Sequence, residues 1–256
     1  MTTPTTAVRL AGGSAGPGQP VLLLLHGLGA TADVWASWGP VLDERWRGRW
    51  LAPDLPGHGG ASPLPRYSFG GLAATVAGQL DPGDRVVVLG HSLGGVVGLA
   101  LASGWFGVRV EAVVGLGIKV AWTPDELAKA RSLAARPVAW FDSRGDAATR
   151  HLRVAGLDGL VGDDHPVVAS GLGEEGGRWR LALDPAAFAV GEPDMPGLLA
   201  AARARVTLAR GEHDPMVSEE QLAALHPQPV TLPGLGHNAH VEDPTTVARL
   251  LDPYAV

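Results

Sequence analysis

The chain has 256 residues, of which 46% are hydrophobic and 18% charged, as is usual for a globular protein with a sizeable core. Its 20 Lys and Arg and 26 Asp and Glu give a net charge of −6 without a basic cluster, which argues against DNA or RNA and mildly against anionic membranes as partners. It has no Cys, which excludes disulfides, thiolate chemistry and Cys-based metal sites. Small molecules are therefore the expected partners.

The start of the chain shows no targeting pattern. Residues 1–20 lack the charged start and the apolar core of a signal peptide. The first apolar run, residues 21–25, is far too short to span a bilayer. We therefore expect a soluble, cytoplasmic protein that binds neither membranes nor nucleic acid. The sequence leaves its assembly open between a monomer and a homodimer.

Short apolar runs that end in polar turns recur along the chain. They predict strands at residues 21–25, 50–52, 86–89, 110–118, 206–209 and 230–232. Helical spacing at 68–80 and an apolar stretch at 96–101 predict helices between strands. This alternation is typical of βαβ units, so we predict an α/β fold, a mostly parallel central sheet with helices on both faces. In such sheets ligands bind at the carboxyl ends of the strands, where these polar turns lie.

Residues 119–197 interrupt the alternation. Near their start, Thr123-Pro124-Asp125-Glu126 has the pattern of a capping box with proline at the first helical position, and an Ala-, Leu- and Arg-rich helical pattern follows. No convincing strand-like run occurs there. We therefore predict a core formed by residues 1–118 and 198–256. Residues 119–197, termed the cap, are predicted to be a helical insertion over the strand ends.

The sequence Gly90-His91-Ser92-Leu93-Gly94 joins the predicted strand 86–89 to the predicted helix 96–101. Strand, tight turn and helix therefore meet at a serine. A G-x-S-x-G turn in this context resembles the nucleophile elbow of the α/β-hydrolase superfamily, where the serine is strained and the glycines let strand and helix approach closely. The alternative is a Gly- and Ser-containing loop without a chemical role, and the other motifs must decide between the two.

Further motifs follow in the order of that superfamily. Asp214 lies in the turn GEHDPMV after one predicted strand, and His237 lies in GLGHNAHVEDP after the next. The segment HGLG (residues 26–29) resembles the oxyanion loop, and DLPGHGGAS (residues 54–62) resembles the superfamily's D-x-P-G-x-G-x-S turn. With Ser92 these motifs extend over nearly the whole chain, which resembles a capped serine hydrolase of the esterase, lipase and thioesterase branch.

The resemblance implies a role for each motif. Ser92 is the expected nucleophile, Asp214 the acid and His237 the base, and the backbone N–H groups of Leu28 and Leu93 are expected to form the oxyanion hole. A serine hydroxyl needs such a base, and the base needs an acid that holds its tautomer. Some members carry the acid after the strand that follows the nucleophile helix, but here that strand ends without a carboxylate. Asp214 therefore keeps the role.

The remaining polar motif residues have structural interpretations. We predict that His91 packs beneath the elbow and that His240 is a hydrogen-bonded turn residue, because one base suffices. His26 is expected to brace the oxyanion loop through a ring hydrogen bond. Asp54 and His58 are expected to fix loops near the site, and contact with the substrate is the alternative for both.

No motif indicates a metal or a cofactor. The nine histidines include no H-x-x-x-H or H-E-x-x-H pair on a helical segment. No G-x-G-x-x-G opens a helix after the first strand, and there is no Walker-type lysine. We therefore expect no metal site and no cofactor. The expected nucleophile is a serine and not an aspartate, which argues against the dehalogenase and epoxide-hydrolase branches of the superfamily.

The cap carries the candidate substrate contacts Trp122, Trp140, Phe141 and Arg150. Its aromatic residues would line an acyl or aromatic pocket, and packing of the cap onto the core is the alternative. Arg150 would pair with a carboxylate or phosphate of the substrate. The alternative for the arginines of this region is a solvated helix face balanced by nearby aspartates.

These observations predict a cofactor-free serine hydrolase that cleaves an ester or a related acyl bond of a small molecule through an acyl-enzyme. An ester or a lactone is the first expectation for the substrate, and a thioester is the second. Two alternatives stay open. One is cleavage of a C–C bond or an elimination by a capped relative with the same triad, and the other is a small-molecule receptor that retains the triad and turns over slowly.

Overall fold

The computed structural model describes residues 8–14 and 18–255. The strands in this part are β1 (Val8–Gly12), β2 (Val21–Leu25), β3 (Trp50–Pro53), β4 (Arg85–His91), β5 (Arg109–Leu116), β6 (Leu172–Glu175), β7 (Arg178–Leu181), β8 (Arg205–Gly211) and β9 (Val230–Leu232). Seven of them form one sheet in the order β1-β3-β2-β4-β5-β8-β9. β1 is antiparallel to β3, and the other neighbouring pairs are parallel. The predicted mostly parallel sheet is confirmed.

Helices cover both faces of this sheet, as predicted. The α-helices are α1 (Trp38–Arg45), α2 (Phe69–Ala77), α3 (Leu93–Ala102), α4 (Pro124–Ala134), α5 (Arg144–Ala155), α6 (Pro166–Ser170), α7 (Met195–Ala201), α8 (Glu219–Ala223), α9 (Ala239–Glu242) and α10 (Pro244–Ala248). Short 3₁₀ helices span Ala32–Trp35, Pro185–Val190 and Arg249–Leu251. Side chains of α2 and α3 belong to the hydrophobic cluster on one face, and those of α1 and α10 to the cluster on the other.

The side chains of β2 show how the sheet divides the core. Leu22 and Leu24 belong to the cluster around the tryptophans of α1 and the first 3₁₀ helix, whereas Leu23 and Leu25 belong to the cluster beneath α3. Successive side chains of a strand point to opposite faces, and every residue of β2 is buried. Both faces are therefore covered, which leaves the carboxyl edge of the sheet to form a site.

The cap is not entirely helical, and this corrects the prediction. β6 and β7 form an antiparallel hairpin within it. Charged residues interrupt both strands, so no apolar run reveals them. The hairpin turns at Gly176 and Gly177, whose φ angles of 59° and 79° suit a tight two-residue connection. The predicted capping box of α4 is present at Thr123 and Glu126. The predicted boundary at residue 197 falls inside α7, and the division into core and cap stays a prediction.

β1 was not predicted. It pairs along one side only, at the edge of the sheet, and therefore lacks the continuous apolar run of a central strand. The prediction of a start without a signal peptide covers residues 1–20, of which residues 1–7 and 15–17 lie outside the described residues. Among the helices of residues 8–14 and 18–255, none has both the length and the apolar character needed to cross a bilayer.

The turn between β4 and α3 has no room for side chains at its glycines. A Cβ atom on Gly94 would lie 2.3 Å from the backbone oxygen of Leu25, and one on Gly90 would lie 2.4 Å from the backbone oxygen of Gly94. Both distances are shorter than real Cβ contacts. Because backbone atoms cannot swing aside as a flexible side chain can, α3 can sit against the ends of β2 and β4 only if these positions are glycine.

We expect Gly94→Ala to lower the free energy of unfolding by about 1–3 kcal/mol, since the added methyl group forces packed backbone segments apart. Gly39→Ala in α1 is the matched control, because nothing lies within 4 Å of its added Cβ. Its stability should equal or slightly exceed that of the wild type. Urea unfolding of the three proteins measures this, and equal midpoints for the two variants would contradict the argument.

Candidate active site

Ser92 is the single residue between β4 and α3. Its φ is 49° and its ψ is −115°. Among the described residues other than glycine, only Gln228 also has a positive φ. Such a conformation is unfavourable for a residue with a Cβ, so the packing around the turn has to impose it. The Ser92 N–H donates to the Leu116 carbonyl at 2.8 Å, which ties the turn to the end of β5.

Asp214 and His237 lie together beyond the ends of β8 and β9. Nδ1 of His237 lies 3.0 Å from Oδ1 and 3.1 Å from Oδ2 of Asp214. The Asp214 side chain is fully buried, and Oδ1 also accepts a hydrogen bond of 2.8 Å from the Met216 N–H. A carboxylate only accepts, so it favours the tautomer with the proton on Nδ1 and the lone pair on Nε2.

Gly117, just beyond β5, makes room for this pair. Its φ is 63°, and a Cβ there would lie 3.1 Å from Oδ2 of Asp214 and 3.3 Å from Nδ1 of His237. The end of β5 is where some members of the superfamily carry the acid. Here the carboxylate beside His237 comes from the end of β8 instead, and the chain beyond β5 passes next to it.

His91 supports His237 from beneath the elbow, as predicted. Its Nε2 lies 2.9 Å from the carbonyl oxygen of His237, and the two rings are 4.7 Å apart. A carbonyl oxygen accepts, so Nε2 of His91 carries the proton and donates. Burial lowers the pKa of His91 well below its ordinary value, which keeps the ring neutral. His91 therefore fixes the backbone of His237 without adding a charge beneath it.

His26 braces the loop formed by residues 26–29. The Leu55 N–H donates to Nε2 of His26 at 2.9 Å, so Nδ1 carries the proton and donates to the Gly27 carbonyl at 2.8 Å. The ring thereby connects this loop to the turn that follows β3. The predicted ring hydrogen bond is confirmed.

Asp54 holds the same turn together. Its two carboxylate oxygens accept the N–H groups of Ala32 at 2.8 Å and Gly60 at 2.9 Å. His58 is buried, and its Nδ1 lies 3.1 Å from the Pro56 carbonyl. Neither Asp54 nor His58 lines the cavity at Ser92. The structural interpretation therefore fits both residues better than contact with a substrate.

Leu28 and Leu93, whose backbone N–H groups are the predicted oxyanion hole, both line the cavity at Ser92. Within the described part of the chain, neither N–H donates to another residue. Leu93 is the first residue of α3, where N–H groups lack helical acceptors and the helix dipole favours negative charge. Both donors are therefore available to an anionic oxygen bound beside Ser92.

The cavity at Ser92 has a volume of about 270 Å³ and mostly apolar walls. Ser92, His237 and Trp122 line it. Sequence analysis missed other lining residues, among them Phe69, Lys119, Arg153, Val154, Val190 and Met216. A larger and more open depression of about 630 Å³ lies at the amino ends of β5 and β8, away from the serine. Since its lining holds neither Ser92 nor His237, we assign the chemistry to the smaller cavity.

Three of the four predicted substrate contacts lie elsewhere. Trp122 lines the cavity, but Trp140 and Phe141 do not. Phe141 instead pairs with Trp179 of β7 through two backbone hydrogen bonds of 2.7 and 2.8 Å. Arg150 lines a separate cavity of about 130 Å³ beside α4 and β7. Hairpin pairing and the rotation of α5 are tertiary features, and they decide which of these residues face Ser92; the substrate contacts themselves stay a prediction.

The mostly parallel sheet and the serine at its strand–helix junction define the class of fold, an α/β-hydrolase fold. The chain belongs to the Alpha/beta hydrolase family, whose model matches residues 22–250. The match includes both the predicted core and the cap.

Individual relatives match shorter stretches. The "Magnesium-chelatase 30 kDa subunit" of Rhodobacter capsulatus is 42% identical over 87 residues, 32% of this chain and 30% of the relative. The "Pimeloyl-[acyl-carrier protein] methyl ester esterase" of Edwardsiella ictaluri is 38% identical over 84 residues, 33% of this chain and 31% of the relative. The chain thus matches about a third of the length of these relatives.

A solved structure shows the same fold over nearly the full length of the match. The "Thioesterase Domain From Curacin Biosynthetic Pathway" superposes with a TM-score of 0.74 and covers 98% of this chain and 99% of that chain. The two sequences are 19% identical, so the likeness concerns the fold.

Buried histidines surround the site. Burial lowers the pKa of His26 to about 4 and the pKa of His58 and His240 to about 3. The ring of His240 lies 4.3 Å from that of His91, and among the described residues neither of its nitrogens has a hydrogen-bond partner. The prediction that His240 is a hydrogen-bonded turn residue was wrong, because its ring packs into the core as an apolar one would.

These lowered pKa values make stability depend on pH. In the unfolded chain each ring binds a proton when the pH is below its ordinary pKa of about 6.5. The folded protein excludes this proton because the ring is buried. Stability is therefore present above pH 6.5 and is lost as the pH falls towards about 4 for His26 and about 3 for His240.

We expect His240→Phe to reduce the stability lost between pH 7.5 and pH 5 by about 1–2 kcal/mol, because one excluded proton is removed. His213→Phe is the matched control, since the exposed ring of His213 loses little hydration on folding. Urea unfolding of both variants and the wild type at the two pH values measures this. An equal loss in all three proteins would contradict the burial argument.

Proposed function

We propose that the protein is a serine hydrolase that cleaves a small-molecule ester, lactone or thioester through an acyl-enzyme. The observation that carries this proposal is the convergence on one cavity of a strained serine, Ser92, and a histidine, His237, that is paired with the buried Asp214. Each group has the chemistry that such a reaction needs, and each comes from the end of a different strand.

The first half of the reaction transfers the acyl group to Ser92. Oγ attacks the substrate carbonyl carbon, and Nε2 of His237 takes the hydroxyl proton. The C–O or C–S bond then breaks, and His237 gives this proton to the departing alcohol or thiol. Asp214 stabilises the imidazolium that exists between these two transfers.

The second half releases the acid. His237 takes a proton from water, whose oxygen attacks the acyl carbon, and then returns a proton to Oγ of Ser92. Each attack places negative charge on the carbonyl oxygen. We propose that the free N–H groups of Leu28 and Leu93 hold this oxyanion, which is an interaction worth a factor of about 10² to 10³ per donor.

The choice of an acyl bond rests on the site, since the relatives include hydrolases of both kinds. A C–C bond hydrolase can use the same triad, but nothing in this cavity favours it over acyl transfer. Proteins similar to this chain include a methyl ester esterase, a thioesterase domain and a 2-hydroxy-6-oxo-2,4-heptadienoate hydrolase. Ester and thioester hydrolysis both follow from the steps above, with an alcohol or a thiol as the leaving group.

We expect a fluorophosphonate probe to add once to the wild-type protein and not to Ser92→Ala, because the phosphonate reacts with an activated serine hydroxyl. Intact-mass measurement detects the adduct. Ser103→Ala is the matched control and should still be labelled, since Oγ of Ser103 is buried and donates to the Ala100 carbonyl. A folded wild-type protein that stays unlabelled would contradict the proposal and favour a receptor with an inactive triad.

We expect Asp214→Asn to lower kcat for an activated ester by a factor of order 10⁴, because an amide favours the wrong tautomer of His237. Glu212→Gln in the same turn is the control. Glu212 is exposed and accepts the Gly234 N–H at 2.8 Å, which a glutamine oxygen can also do. Steady-state hydrolysis of 4-nitrophenyl acetate measures both variants. A near-normal rate for Asp214→Asn would show that the acid lies elsewhere.

A further inference from the structure

The charged side chains on the wall of the Ser92 cavity all have one sign. Among the described residues that line it, the charged ones are Lys119 and Arg153, and no Asp or Glu is present. Asp214 lies behind His237 and is engaged with it. The whole chain, by contrast, has a net charge of −6. A substrate in this cavity therefore meets two cationic side chains on the wall, although the chain as a whole is acidic.

Lys119 reaches the cavity because of the way the chain leaves β5. The side chain of Ile118 is buried, and it lies 2.6 Å from the position that a Cβ on Gly115 would take. This packing fixes the backbone on both sides of Ile118. Gly117 passes beside the Asp–His pair, and Lys119 follows two residues later. The lysine is thus held at the carboxyl end of the strand beside that of Ser92.

The Lys119 ammonium group is held in place but keeps hydrogen-bond donors that its neighbours do not engage. Its side chain is 14% exposed, and Nζ lies 2.9 Å from Oε1 of Glu126. Nζ also lies 5.3 Å from the ring centre of Trp122, which is a favourable distance for a cation over an aromatic ring. The other carboxylate oxygen of Glu126 accepts the Thr123 N–H of the capping box. An ammonium group has three N–H donors, so donors remain for an anion in the cavity.

Arg153 adds a second cation at the rim. Its side chain is 64% exposed, and Nε lies 3.3 Å from Oδ2 of Asp158 on the surface. Arg150, about one turn earlier in α5, lines the separate cavity instead. The guanidinium group has five N–H donors in a planar fork that suits a carboxylate. Arg153 therefore extends the positive wall towards solvent, where an approaching anion meets it first.

We propose that the substrate carries a carboxylate besides the bond that Ser92 attacks, that Lys119 binds this carboxylate, and that Arg153 attracts it. This inference rests on the proposed function, since it names the class of substrate for the same site. The partly buried Lys119 is expected to contribute more than the exposed Arg153, because water and salt screen an exposed charge.

A structural role for Lys119 makes a different prediction. If its ion pair with Glu126 only ties the start of α4 to the core, loss of the charge weakens hydrolysis of all esters alike. If Lys119 binds a carboxylate of the substrate, loss of the charge weakens the hydrolysis of anionic esters more than that of neutral esters. The informative quantity is therefore the ratio of kcat/KM for an anionic ester to kcat/KM for a neutral ester of similar length. This ratio does not depend on the fraction of enzyme that is folded.

Two pairs of esters test this, one with the carboxylate on the acyl side of the scissile bond and one with it on the alcohol side. Mono-4-nitrophenyl adipate and 4-nitrophenyl hexanoate differ in the acyl part, and 4-acetoxybenzoate and methyl 4-acetoxybenzoate differ in the alcohol part. We expect the wild-type ratio to exceed one in at least one pair and to fall as NaCl is raised. In that pair Lys119→Met should lower the ratio about ten-fold, as for a charge-assisted hydrogen bond, and Lys119→Arg should retain most of it.

Arginine variants supply the matched comparison on α5. Arg153→Met is expected to lower the ratio about two- to three-fold, and Arg150→Met is expected to leave it at the wild-type value. The inference is overturned if all esters are hydrolysed but both ratios are one or less, or if Lys119→Met leaves the ratio unchanged. If no ester is hydrolysed and the fluorophosphonate leaves Ser92 unmodified, the proposed function fails and this inference fails with it.

Discussion

The backbone of Ser92 is the constraint on which the rest of the site depends. β4 must pass into α3 within one residue, and this residue takes a φ of 49°. The turn is possible because Gly90 and Gly94 let backbone atoms approach to distances at which any Cβ would clash. The close packing around the turn therefore holds the Ser92 backbone in this unfavourable conformation. One consequence is that the serine side chain and the N-terminus of α3 reach the cavity together.

The layer beneath the serine is built from neutral histidines. His91 and His26 use ring hydrogen bonds to hold backbone carbonyls of His237 and Gly27, so the two loops that flank Ser92 are held by rings with defined tautomers. A charged residue in these buried positions would be strongly disfavoured by desolvation. A neutral imidazole can donate a hydrogen bond without that cost. It also adds no positive charge that would hinder protonation of His237.

The walls of the cavity come from both parts of the chain. The core contributes the serine, the histidine and the two free N–H groups at strand and loop ends, whereas the segment between β5 and β8 contributes Trp122 and the two cations. This arrangement separates the proposed chemistry from the recognition of substrate. A family with one triad can then serve different substrates through changes in the second part.

The sequence alone determined six of the seven strands of the large sheet, the turns at their ends and the candidate triad, because each of these is a local pattern. An apolar run followed by a glycine-rich turn predicts a strand end wherever it occurs, and the parallel sheet brings such ends to one edge. Only the tertiary structure decided which cap residues face Ser92. The pairing of β6 with β7 and the exclusion of Arg150 depend on contacts between separate segments and on the rotation of α5. No local pattern in the sequence encodes these contacts.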